Sequence, residues 1–121
     1  MPSVELKFTL LEETVLRTIC ETYPRDRAAL HTQLSTAKVL RRENTGAGFY
    51  TKFTVDRASS PAIGGERLKA GPAVRVSGLD HEMGFILWLR EGYAHQLEGY
   101  SHGESTTEIL LEQATFKLLH E

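Results

Sequence analysis

Apolar residues recur at helical spacing near the amino terminus: Leu11, Val15 and Ile19, with Leu16 and Cys20 beside them, form one stripe. Thr9 stands three residues before Glu12, the spacing of a reciprocal cap at a helix start. Thr22-Tyr23-Pro24 closes the segment, because proline disfavours helical geometry in the residue before it. These signals predict a helix over about 10–22. A second helix, over about 26–37, starts near Asp26 and turns Leu30, Leu34 and Ala37 inward. Both helices are short, so they need a surface to pack on.

The period then changes from helical to alternating. Val39 to Arg42 and Phe49 to Val55 are rich in β-branched and aromatic residues. In the second run Phe49, Thr51, Phe53 and Val55 share one face, as in a half-buried antiparallel strand. Asn44-Thr45-Gly46-Ala47-Gly48 reads as the turn between them. The segment 56–72, punctuated by Pro61, Gly64, Gly65, Gly71 and Pro72, is the most loop-like and is expected to be mobile. Ala73 to Ser77 is a further short strand.

Phe85 to Leu89 and Tyr93 to Tyr100 form a hairpin about Arg90-Glu91-Gly92. With Glu91-Gly92 alone as the turn, Phe85 faces Glu98. With Arg90 in the loop, Phe85 faces Leu97, and Leu87, Leu89, Tyr93 and Leu97 share one apolar face. The second register is preferred, because a slip of one residue moves every side chain to the other face. The strand from Phe85 is apolar on both sides and should be central. Residues 107–119 fit a helix through Ile109, Leu110, Gln113 and Phe116, or a strand through Thr115-Phe116-Lys117-Leu118; the expectation is a last strand at 114–119. Strands after helices indicate an α+β domain spanning 1–121: an N-terminal helix pair packed on a mainly antiparallel sheet of about five to six strands, over about 39–119.

Composition narrows the classes of function. The 121 residues suffice for one domain, and 40% hydrophobic with 25% charged residues is an ordinary globular balance. A net charge of −2 argues against nucleic-acid binding, which draws on a basic excess. The longest apolar run, Phe85 to Leu89, is far short of the roughly 20 residues that span a membrane. Met1-Pro2-Ser3-Val4-Glu5 lacks the basic start and apolar core of a signal peptide. The single Cys20 excludes an internal disulfide, so the expected location is cytoplasmic.

Leu30 with Gln33-Leu34, the segment Arg42-Glu43-Asn44-Thr45-Gly46-Ala47-Gly48-Phe49-Tyr50-Thr51-Lys52-Phe53, and the hairpin Gly84-Phe85-Ile86-Leu87-Trp88, Gly92, Leu97-Glu98-Gly99-Tyr100 resemble a family of small uncharacterised bacterial proteins. The resemblance covers residues 10–103 and departs after Tyr100. Here the chain reads Ser101-His102-Gly103-Glu104-Ser105 in place of an aromatic residue and a Trp-Pro pair. It implies a bacterial, cytoplasmic, stand-alone domain and brings no established activity.

Several residues invite chemical readings. Gly99-Tyr100-Ser101-His102-Gly103 matches the G-x-S-x-G elbow of hydrolases, and Ser101, Glu108 or Glu112, and His120 follow in triad order. That elbow needs a large doubly wound sheet, for which this chain is too short. Among the histidines, His81, His95 and His102 lack the paired spacing of a metal site, so no metal or other cofactor is expected. Thr45 to Gly48 reads first as a turn, with anion binding by its amides, near Arg41 and Arg42, as the alternative. Glu98, between Leu97 and Gly99, must face solvent or pair with Arg41 or Arg42, since burying it unpaired is costly. Cys20 reads as a buried, inert thiol. Trp88 and Tyr93 read as core or as a recognition patch.

The expected function is therefore a non-catalytic binding or protein-interaction domain, with a homodimer through a strand edge or a sheet face. The alternative is a small ligand-binding domain or enzyme with a pocket around Arg41, Thr45, Gly46, Tyr50, Glu98 and Tyr100.

Overall fold

A computed structural model describes residues 6–119. Met1–Glu5 and His120, on which the leader and triad readings rest, lie outside the described residues.

Helix α1 spans Leu10–Thr22 and α2 spans Arg27–Ser35. The start of α1 is capped reciprocally: the Glu12 amide donates to Thr9 Oγ1 at 3.1 Å, and the Thr9 amide donates to Glu12 Oε1 at 2.8 Å. Its stripe of Leu11, Val15, Leu16, Ile19 and Cys20 is buried, as the spacing predicts. Helix α2 ends before Ala37, and it buries Leu30 and Gln33 while Leu34 is only half-buried.

The strands are β1 (Lys38–Asn44), β2 (Gly48–Thr54), β3 (Leu68–Ala70), β4 (Val74–Val76), β5 (Gly84–Arg90), β6 (Tyr93–Tyr100) and β7 (Phe116–Leu118). Five form one antiparallel sheet in the order β1-β2-β6-β5-β3, and β4 with β7 forms a small second sheet. This is the expected α+β arrangement. Strand β5 lies inside the sheet, as its apolar character on both faces requires. Both helices pack on one face of the five-stranded sheet, α1 against β5 and α2 against β6. Between the layers lies a core of Phe49, Phe53, Phe85, Leu87, Leu89, Leu97 and the helix stripe. Each such side chain, once buried, contributes about 1.5–3 kcal/mol. No helix among the described residues is long and apolar enough to cross a membrane.

Three sequence expectations change. The hairpin takes neither register considered, since Phe85 faces Gly99 and Leu87 faces Leu97. Its turn is Glu91-Gly92 alone, with φ of 53° and 86°, the paired positive values of a tight two-residue hairpin turn. Between Leu89↔Ala94 and Trp88↔Gln96 the ladder gains a bulge at His95, which shifts the register by one more residue. Ala94, not Tyr93, therefore joins Leu87, Leu89 and Leu97 on the buried face. The segment 56–72, read as loop, contains β3; three residues centred on a lysine give too little periodicity to reveal a strand. The last strand is shorter than 114–119 and follows a single 3-10 turn at Leu111–Gln113.

Candidate functional site

The six residues proposed from sequence do not meet in one cavity. Thr45 and Gly46 belong to the β1–β2 turn, whose amides are all used internally. Gly46 donates to Asn44 Oδ1 at 2.9 Å, Ala47 to Thr45 Oγ1 at 3.3 Å, and Gly48 to Thr106 Oγ1 at 2.9 Å. No N–H group remains to cradle an anion. Thr106, fully buried, fastens this turn further by donating its own amide to Gly46 O at 2.8 Å. Sequence reasoning missed Thr106, which lies 58 residues from Gly48 with no local signal to join them.

Arg41, Tyr50 and Glu98 lie on the sheet face away from the helices. Arg41 Nη2 donates to Tyr50 Oη at 3.4 Å, and Tyr50 donates to Glu43 Oε2. Glu98 accepts from Trp88 Nε1 at 2.9 Å, so its partner is an indole and neither arginine. Tyr100 lies over Gly84 on the same outer face.

Arg42 points the other way. Its guanidinium meets Glu12 through Nη2 at 2.5 Å and Nε at 3.0 Å, with side chains 7% and 2% exposed. Glu12 also accepts from Thr51 Oγ1, and Arg42 donates to Lys7 O at 2.9 Å. Removing Arg42 would leave the buried Glu12 carboxylate without its counter-ion, a loss of about 3–5 kcal/mol, whereas Arg42 also reaches Glu112 at 3.4 Å. At the opposite edge, Lys69 on β3 is buried against Asp26 at 2.7 Å and Glu66 at 3.3 Å, above the Tyr23 ring. Burial alone would lower the pKa of Lys69, but its bonds to Asp26 and Glu66 outweigh that and raise it. Arg42 and Lys69 end a single row across the inner face: Arg42, Thr51, Leu97, Leu87, Lys69. Each edge strand thus carries an inward cation held by a carboxylate of the helix layer. That arrangement ties the layers together and blunts both edges against strand pairing.

The glycine–aromatic pairs of the motif have a packing explanation. Gly48-Phe49, Tyr100 with Gly99, and Gly84-Phe85 lie level on three adjacent strands. On the inner face Gly99 sits between Phe49 and Phe85, and a Cβ there would come within 2.7 Å of the Phe85 ring. On the outer face Tyr100 sits between Gly48 and Gly84, where a Cβ on Gly84 would overlap its ring. Gly48 also has φ of 148°, with the Gly99 carbonyl where a Cβ would be. The motif is a packing device in which rings cover bare backbone.

Ser101 does not form a nucleophile elbow. It ends a hairpin strand, and its hydroxyl donates to Glu104 O at 2.6 Å and Ala47 O at 3.1 Å. Glu104 accepts from the amides of Asp80 at 2.7 Å and His81 at 2.6 Å. No group of three His, Cys, Asp or Glu side chains suited to a metal occurs among the described residues.

Two surfaces remain. The first is the outer sheet face, where two rows cross all five strands. Glu43, Tyr50, Glu98, Ile86 and Ala70 form one row; Arg41, Lys52, Gln96, Trp88 and Leu68 form the other. Among the described residues, no helix or further strand packs on this face. The second is a cleft of about 340 Å³ where β2 and β6 part, lined on its polar side by Lys52, Arg57, Arg90 and His95. Burial first, and then Arg90, Lys52 and Arg57, hold the His95 imidazole below its ordinary pKa. Comparison with protein-family models, curated proteins and solved structures finds no match to this chain.

Proposed function

We propose that the chain is a non-catalytic protein-interaction domain that works through its outer sheet face, and that its partner is a second copy of itself. The observation that carries this reading is the sorting of charge between the two outer rows. Glu43 and Glu98 lie in one row, Arg41 and Lys52 in the other. A two-fold axis parallel to the sheet, just above its outer face and perpendicular to the strands, lays each row on the other row of the partner copy. Glu43 then faces an arginine, Tyr50 a lysine, and Ile86 a tryptophan, so the patch complements itself as a two-fold interface requires. Pairing through strand edges is disfavoured by the inward cations and by the bulge between Val39 and Arg41 in β1. The polar groups singled out for chemistry support a binding role, because Glu98, Ser101, Arg42 and the 45–48 turn are engaged in structural bonds. The buried free thiol of Cys20 accords with a reducing, cytoplasmic setting.

Sedimentation velocity over a range of concentrations tests the proposal. A reversible monomer–dimer equilibrium is expected, weakened by Glu43→Arg and restored when Arg41→Glu is added. A monomer at every concentration, or a dimer indifferent to both changes, would overturn it.

A further inference from the structure

The cleft beside β2 stands on a different observation. The β2–β6 ladder runs from Gly48↔Tyr100 to Lys52↔Gln96 and stops, although β2 continues to Thr54 and β6 begins at Tyr93. The bulge at His95 bends β6 away, and the two strands separate. The space between them, about 340 Å³, reaches the size range of small-ligand sites.

Its walls divide by chemistry. Leu40 and Val55 form an apolar side, while Lys52, Arg57, Arg90 and His95 converge from β2, the following loop, β5 and β6. Among the described residues, no carboxylate lines the cleft. Arg57 is partly neutralised by Glu91 at 3.0 Å and lies over the Tyr93 ring. Lys52 and Arg90 have no carboxylate within 4.0 Å among the described residues. A protein of net charge −2 thus concentrates uncompensated positive charge at one concave place.

We propose that this cleft binds a small phosphate monoester, its phosphoryl group between Lys52 and Arg90 and its organic body against Leu40 and Val55. The guanidinium fork and the ammonium point charge are complementary donors for phosphoryl oxygens. Burial first, and then the charges of Arg90, Lys52 and Arg57, disfavour the protonated His95 imidazole, which therefore adds a neutral ring to the wall of the site. An anion seated there relieves the repulsion among the three cations Lys52, Arg57 and Arg90.

Phenyl phosphate, inorganic phosphate and benzoate are suitable probes, followed by calorimetry and by the His95 ring resonances in NMR. Phenyl phosphate should bind more tightly than either of the others and shift the His95 signals. Lys52→Gln and Arg90→Gln should each weaken it about tenfold. Their thermal transitions serve as the check on folding, and Arg90 is solvent-exposed, so its replacement leaves the core intact. No binding at millimolar phenyl phosphate, or binding undiminished in the double variant, would overturn the site. Benzoate binding equally well would overturn the phosphoryl assignment, and inorganic phosphate binding equally well would overturn the role of the apolar wall. Lys52 belongs to both surfaces, whereas Arg90 and His95 lie off the two outer rows, so Arg90→Gln is the variant that separates this site from self-association.

Discussion

Replacing Gln33 with Leu tests whether one buried amide fastens α2 to the hairpin. Gln33 is 0% exposed. Its Nε2 donates to Pro61 O at 2.8 Å and Gly92 O at 2.9 Å, and its Oε1 accepts from the Ala94 amide at 2.9 Å. Leu is of similar size and apolar, so packing is nearly conserved and the polar contacts are what change. Gly92 O keeps a partner, because the Ile63 amide donates to it at 2.8 Å. Pro61 O and the Ala94 N–H lose theirs. The orphaned Ala94 N–H is buried and costs about 1–3 kcal/mol, while Pro61 is exposed and its carbonyl can turn to water. Against a typical total of about 5–15 kcal/mol this is a substantial fraction, and the transition should fall by roughly 5–15 °C. Circular dichroism melts and urea titrations measure it. Gln33→Glu adds a second arm, since a carboxylate there would face two carbonyl oxygens. Its folded pKa would be raised, so stability present below the unfolded pKa would be lost as pH rises through the folded value. The Glu variant should therefore approach the wild type toward about pH 4. A Leu variant within about 0.5 kcal/mol of wild type would refute the argument that these groups depend on Gln33.

Gly48→Ala should destabilise more than Gly84→Ala, by about 3 kcal/mol or more against about 1–2, because it meets fixed backbone at φ 148° while Gly84 meets the movable Tyr100 ring; equal losses in urea unfolding would count against the packing explanation. Glu98→Gln should change stability by less than about 1 kcal/mol, since the carboxamide oxygen still accepts from Trp88; a loss above about 3 kcal/mol would show that the carboxylate anchors the sheet. The Asp80 amide above all, with help from His81 and against slight desolvation, holds the Glu104 carboxyl below its usual range. Its contribution is present above the unfolded pKa and disappears as pH falls through the folded value. A carbon-13 titration should place its midpoint below that of a free glutamate, and a midpoint at or above that value would contradict the bonding described.

The elements were legible where they obey a local rule. The capping box at Thr9 and Glu12, the stripe of α1 and the alternation of β2 each rest on neighbouring residues, so spacing alone reveals them. In α2 the same logic pointed to Leu34, yet Gln33 is buried, because three backbone groups of two distant segments supply its hydrogen bonds. The candidate site was legible only in part. The motif residues do come level on adjacent strands, but what they share is packing. Glu98 was rightly singled out as needing a partner; that the partner is Trp88, not Arg41 or Arg42, depends on the bulge at His95.

By itself the sequence determined the α+β class, the first helix, the central place of β5 and the turn at Gly46, because periodicity, capping and turn chemistry act within a few residues. The tertiary structure alone decided the hairpin register, the strand around Lys69, the inward pairs Arg42–Glu12 and Lys69–Asp26, and the cleft where β2 leaves β6. Those features arise from charges and ladders that meet only after the chain has folded, when burial makes an unpaired group too costly to leave alone.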